Sequence, residues 1–152
     1  MSPFLPLTFV LCLFAQISSK IKAAPARSDC LIQRENIYCT GQSINDLSLA
    51  DLHIQLQSEI YNDTSFADLF ITETSITQIQ SGTFAQTRFD NVYIQDNLHL
   101  TYIAPDAFIH QNAKSLYIIN NPLLKNNSIY QLTDRLHVSE YVDFDFNGLV
   151  VG

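Results

Sequence analysis

From residue 66 onward apolar side chains alternate with polar or aromatic ones over short stretches, and the stretches recur. Phe66, Leu69, Ile71 and Thr74 are matched 23 residues later by Phe89, Val92, Ile94 and Asn97. A further 24 residues give Ala113, Leu116, Ile118 and Asn121, and 26 more give Ser139, Val142, Phe144 and Asn147. With the first residue of each set as position 1, positions 4, 6 and 9 of one template are filled four times. Period-two alternation predicts a short strand whose positions 4 and 6 point into a core. Position 9 is Asn in three units of four, an amide suited to bonding backbone groups where the chain turns; leaving one buried and unpaired costs about 1–3 kcal/mol. Beyond the turn, Ile76, Ile79 and Phe84 of the first unit correspond to Leu98 or Leu100, Ile103 and Phe108 of the second, which predicts an apolar back wall. One such unit cannot bury its own core, so the units are expected to stack with their strands in one parallel sheet.

This pattern resembles the leucine-rich repeat, L-x-x-L-x-L-x-x-N-x-L, whose period is roughly 20–29 residues. The resemblance covers about residues 66–149 and implies an α/β solenoid with a short parallel β-sheet on its concave face and about four repeats, assigned to residues 66–152. Upstream, CLIQRENIYC at residues 30–39 looks like the N-terminal cap of extracellular leucine-rich repeat proteins, in which a disulfide-bearing segment covers the bare end of the core. Leu49, Leu52, Leu56 and Ile60 recur at three- and four-residue spacing, which predicts a short helix against the cap, so that residues 27–65 form cap and helix. Ile129, Leu132 and Leu136 predict a second helical stretch on the convex side.

The first 26 residues hold an apolar run from Phe4 to Ala15 followed by small residues, the layout of a secretory signal peptide cleaved after Ser19 or as late as after Ala26. The run is too short to span a bilayer. The expectation is a secreted, extracellular protein with no membrane span. Cys12 leaves with the signal, so Cys30 and Cys39 remain as a pair in an oxidising compartment and are expected to form a disulfide. Without further thiols or a histidine pair they do not make a tetrahedral zinc site. Secretion also gives meaning to the sequons Asn62-Asp63-Thr64 and Asn126-Asn127-Ser128, which makes Asn62 and Asn126 candidate glycosylation sites. With 47% hydrophobic and 15% charged residues the chain can bury one domain-sized core. From residue 27 onward six Lys or Arg stand against fifteen Asp or Glu, a net charge of −9, which argues against nucleic acid as a partner because phosphates require a basic stripe.

In the expected stack the template positions between the buried ones face outward. Those singled out for binding are Phe70, Thr72, Tyr93, Gln95, Tyr117, Ile119, Tyr141 and Asp143. Position 5 sets Phe70, Tyr93 and Tyr117 on neighbouring strands about 4.8 Å apart, close enough for a ladder of rings flanked by carboxylates. Aromatic anchors with adaptable polar neighbours suit recognition, so a protein partner is expected. His53, His99, His110 and His137 fall in different segments, and no pattern joins a nucleophile, a base and an orienting group, so neither an enzyme nor a cofactor is expected. Asp143 and Asp145 alternate along one strand but lack the rest of a calcium loop.

IQSGTF at residues 79–84, YIQDN at 93–97 and YIINNPLL at 117–124 resemble the phrasing of small secreted arthropod repeat proteins described as similar to the non-catalytic subunit of the Oplophorus-type luciferin monooxygenase. That resemblance implies a non-enzymatic chain in a hetero-oligomer with a catalytic subunit, and it transfers no catalytic residue. HLTYIAPDA at residues 99–107 is similar to the hormone-binding ectodomain of glycoprotein hormone receptors, which implies a soluble relative of that ectodomain as the alternative. A structural unit that assembles through its last strand and a secreted enzyme are the remaining alternatives.

Overall fold

The computed structural model describes residues 29–58, 60–61, 64–109, 111–145 and 147–148, so the signal-peptide assignment and Asn62 lie outside the described residues. The alternating stretches are strands: β3 (Ser65–Thr72), β5 (Arg88–Gln95), β7 (Asn112–Ile119) and β8 (His137–Asp143). Two strands precede them, β1 (Leu31–Gln33) and β2 (Asn36–Thr40). Between the strands run α1 (Asp46–Leu56), the two-residue strands β4 (Gln78–Ile79) and β6 (Tyr102–Ile103), and α2 (Asn126–Thr133).

The six long strands form one sheet in the order β1-β2-β3-β5-β7-β8. It is mixed, because β1 and β2 make an antiparallel hairpin while every later pairing is parallel. The register follows the template: Leu69 faces Val92, Val92 faces Leu116, and Leu116 faces Val142. It also extends one strand further upstream than the repeats read from the sequence, since Ile37 and Cys39 of β2 face Leu69 and Ile71. The expected cap thus contributes a full member of the series. Its Cys30–Cys39 disulfide is formed and buried, and closure of so short a loop contributes about 2–3 kcal/mol.

The second layer consists of α1 beside β4, β4 paired with β6, and α2 beside β6. Helix α1 begins at Asn45, whose side chain accepts from the amides of Leu47 and Ser48 while the Ser48 hydroxyl accepts from the Asn45 amide. This reciprocal cap fixes where the helix starts. The helix buries Leu49, Leu52 and Leu56 but stops at Gln57. Ile60, expected on the same stripe, is 80% exposed because the chain has already left the helix. Of the two candidates Leu98 and Leu100, Leu100 is the core residue and Leu98 is exposed. Leu136 is buried beyond the end of α2, its amide bonded to Leu132 O at 2.8 Å.

Between the layers the core is centred on phenylalanines. Phe84 stacks on Phe108 with ring centroids 4.8 Å apart and meets Phe89 edge-on at 5.7 Å, while Phe89 also lies 6.0 Å from Phe66. All four are buried.

The turns after the strands repeat as faithfully as the strands do. Gly41, Glu73, Asp96 and Asn120 all occupy template position 8 and all have positive φ, at 94°, 55°, 57° and 53°. For residues with a Cβ this left-handed conformation costs roughly 1–2 kcal/mol, less for Asn and Asp. It is offset by hydrogen bonding, because each of these amides donates across to a carbonyl of the following unit: to Thr72, Gln95, Ile119 and Asp145 at 3.1, 3.1, 3.1 and 2.9 Å. Position 9 then forms a buried ladder. Asn97 Oδ1 accepts from the Thr74 amide and hydroxyl at 3.1 and 2.6 Å; Asn121 Oδ1 accepts from the Asn97 amide and Nδ2, both at 3.1 Å; Asn147 Oδ1 accepts from the Asn121 amide and Nδ2 at 3.1 and 3.0 Å. Asn97 and Asn121 also donate to the carbonyls of Ile71 and Ile94, each at 2.9 Å, and Asn147 donates to Ile118 O. Among the described residues no buried side-chain polar atom lacks a partner.

The last strand departs from the template. Val142, expected in the core, is 42% exposed, and Phe144 is only partly buried. The pairing of β7 with β8 slips between Ala113 and Ser115, and among the described residues no further strand covers β8. An end strand has one neighbour fewer, so its inward residues lose the contacts that bury the equivalent residues of β3, β5 and β7.

Candidate functional site

Outward-facing position 5 carries Tyr38 on β2, Phe70 on β3, Tyr93 on β5 and Tyr117 on β7, all half-buried. Parallel pairing sets these side chains at the strand spacing, and the rings lie face to face. Centroid separations are 5.1 Å for Tyr38–Phe70, 4.7 Å for Phe70–Tyr93 and 4.7 Å for Tyr93–Tyr117, with interplanar angles of 3°, 7° and 5°. In β8 the residue in register with Tyr117 is Asp143. There Tyr141 leans across from position 3, its ring 5.4 Å from Tyr117 and tilted by 39°. Five rings therefore cross five strands in one row.

Face-to-face stacking decides what this row offers. The interior ring faces are covered by their neighbours, so the surface presents ring edges and hydroxyls. Thr40, Thr72, Gln95 and Ile119 run along one side and Asn36, Asp68, Asn91 and Ser115 along the other. Asn91 Nδ2 donates to Asp68 at 2.8 Å, Asn36 Nδ2 donates to the Tyr38 hydroxyl at 3.0 Å, and Asn120 Nδ2 donates to Asp96 at 2.6 Å.

The hydroxyls of Tyr93 and Tyr141 hold their protons tightly. Burial pushes Tyr93 above its ordinary value of 10.0, with the Asp68 carboxylate and Tyr117 adding to the effect. The Asp143 carboxylate is the main influence raising Tyr141, followed by burial, Tyr117 and Asp145. A tyrosine whose folded pKa lies above its unfolded one contributes stability that is full below the unfolded value and is lost as pH rises through the folded value. Urea unfolding is therefore expected to show stability falling above about pH 10, with a smaller fall in Tyr93→Phe. An equal fall in the variant would contradict the assignment to Tyr93.

Of the residues singled out from the sequence, Phe70, Thr72, Tyr93, Gln95, Tyr117 and Ile119 lie together on this face, with Tyr141 and Asp143 at its β8 end. Tyr38 and Thr40 were missed because the disulfide drew the segment into the cap. Their signal was present: Ile37-Tyr38-Cys39 repeats the apolar-aromatic-apolar order of Leu69-Phe70-Ile71, Val92-Tyr93-Ile94 and Leu116-Tyr117-Ile118. Asn126 is exposed at the first residue of α2, while Ser128 of its sequon is buried.

The histidines are dispersed. His53 lines a cleft of about 250 Å³ between α1 and β4, where its Nδ1 lies 2.9 Å from Thr83 O. Asp46, in the same cleft, accepts from the Thr77 amide and hydroxyl at 2.8 and 2.6 Å. His99 and His137 are exposed, and His110 lies outside the described residues. Among the described residues no group of three or more His, Cys, Asp or Glu is placed to hold a metal ion, and no helix is long and apolar enough to cross a membrane.

Fold and surface together define a two-layered α/β chain with a mixed six-stranded sheet, one disulfide and an aromatic row on the open face of the sheet. Comparison with families of known proteins, with curated proteins and with solved structures finds no match.

Proposed function

We propose that this chain is a secreted, non-enzymatic protein of the leucine-rich repeat type, and that it binds another protein through the concave face of its sheet. The repeat reading is supported by the recurrence of strand register, left-handed turn residue and buried Asn at one spacing. The single observation that carries the binding role is the row of five rings from Tyr38 to Tyr141 on a sheet face that no other described element covers. Aromatic side chains give a partner large, rigid contact area at little entropic cost, and the Thr, Gln and Asn neighbours supply hydrogen bonds. The partner of a non-catalytic subunit would itself be catalytic, so a hetero-oligomer with a catalytic chain is the form of this reading that the sequence resemblance favours; a soluble receptor-ectodomain relative would use the same face.

The test is capture from the extracellular fluid of the source organism. The double substitution Tyr93→Ala/Tyr117→Ala is expected to reduce recovery of the partner about tenfold or more, the loss of two anchors at about 1–2 kcal/mol each, while secretion is maintained. Undiminished recovery would remove this face from the binding role.

The edge of β8, which no described strand covers, with Val142 and Tyr141 exposed, favours a second reading in which chains assemble end to end. Sedimentation at rising concentration separates the two, since a chain that stays monomeric does not self-assemble.

A further inference from the structure

We infer that the occupant of the aromatic face is a cationic protein segment, one that lays Lys or Arg side chains along the row of rings. The inference rests on the binding role proposed above and adds the chemistry of the partner. Its basis is the distribution of charge around the row. Asp68 borders the rings on one side, Glu73 and Asp96 follow the ends of β3 and β5 on the other, and Asp143 and Asp145 stand at the β8 end. None of the sheet positions that flank the rings is Lys, Arg or His. The basic residues of the described chain lie elsewhere: Arg34 in the β1–β2 turn, Arg88 and Lys114 at the entering ends of β5 and β7, and Lys125 and Arg135 next to α2. Among the described residues the ion pair is Lys114–Asp90 at 2.8 Å, so no described cation of this chain pairs with the five carboxylates around the rings.

The geometry of the rings selects the same partner. A carbohydrate or a quaternary ammonium group binds to an aromatic face, and here the interior faces are taken up by stacking at 4.7–5.1 Å. What remains is a ridge of ring edges and hydroxyls. The aliphatic stems of Lys and Arg pack along such edges while their charged ends reach carboxylates on both sides, making charge-assisted hydrogen bonds. A second copy of this chain docking face to face would bring like charges together. Nucleic acid and anionic lipid meet the same repulsion, whereas a cationic segment is attracted from a distance and held more weakly as salt rises.

The inference is tested with the mature chain and an oligo-arginine peptide as probe, against an oligo-glutamate peptide of equal length. Binding is compared at low and high salt. Two double variants carry the same change of net charge: Asp68→Asn/Asp96→Asn beside the rings, and Asp51→Asn/Asp134→Asn away from them. The expected result is that oligo-arginine alone binds, that high salt weakens it, and that the first variant loses about tenfold in affinity while the second loses less than about twofold. Equal loss in both variants, or retention in high salt, or no preference over oligo-glutamate, overturns the cationic occupant. Unchanged thermal unfolding of both variants shows that folding is not the cause. The binding face itself is judged separately by Tyr93→Ala/Tyr117→Ala capture: partner loss there without oligo-arginine binding leaves a binding face whose occupant is not cationic.

Discussion

Asn121→Ala is expected to lower the free energy of unfolding by about 3–5 kcal/mol, far more than a surface substitution. The side chain sits at the middle of the buried ladder. Its Oδ1 accepts from the amide and Nδ2 of Asn97, both at 3.1 Å, and its Nδ2 donates to Ile94 O at 2.9 Å, Ile119 O at 3.1 Å and Asn147 Oδ1 at 3.0 Å. Alanine leaves the Asn97 amide buried without its acceptor and takes a donor from the Ile94 and Ile119 carbonyls and from Asn147 Oδ1, and a buried group left unpaired costs about 1–3 kcal/mol. Thr74→Ala, at the start of the ladder, removes a hydroxyl with one strong partner and is expected to cost about 1–2 kcal/mol. Urea unfolding monitored by circular dichroism gives both numbers. A loss below about 1 kcal/mol for Asn121→Ala would mean that water replaces the amide and that the ladder is not a structural necessity.

Phe84→Ala carries the second large effect, a loss of about 3–5 kcal/mol from transfer and cavity terms together. Phe84 is fully buried between the layers, stacked on Phe108 and edge-on to Phe89, so its neighbours are themselves large rings that cannot collapse into the space. Phe70→Ala provides the contrast. That ring is half-buried on the open face, stacked between Tyr38 and Tyr93, and its removal is expected to cost about 1–2 kcal/mol. Chemical unfolding of the two variants side by side checks the order; comparable losses would place the weight of the fold on the open face instead of the interior.

The contrast between these two phenylalanines also marks what the amino-acid order makes legible. Leu69, Val92 and Leu116 share a register because period-two alternation permits only one pairing that buries positions 4 and 6 together. Asn97, Asn121 and Asn147 were recognisable as turn residues, yet the bonds they make to one another come only from stacking, since partners 24 and 26 residues apart leave no local trace. Tyr38 is harder to place from sequence because the two cysteines around it already account for its segment as a cap. Ile60 and Val142 misled for a common reason: an apolar residue continues a pattern past the point where the supporting element ends, at Gln57 for α1 and at the uncovered side of β8 for the sheet. The open face was legible as to which residues share it. A binding role was not, because each outward-facing aromatic or polar residue also suits an ordinary strand.

The left-handed turns and the Asn ladder have an architectural consequence. The backbone amides leaving one turn donate to the equivalent atoms of the next, so the junction between β3 and β5 matches that between β5 and β7 in its backbone bonds, with the Thr74 hydroxyl standing where Asn97 has its side-chain amide. A second copy of residues 89–112 set between residues 112 and 113 would find a donor waiting for each acceptor on both sides. Chain length is thus a free variable of this architecture, adjustable in whole units of about 4.8 Å along the sheet, and the aromatic row lengthens by one ring with each unit.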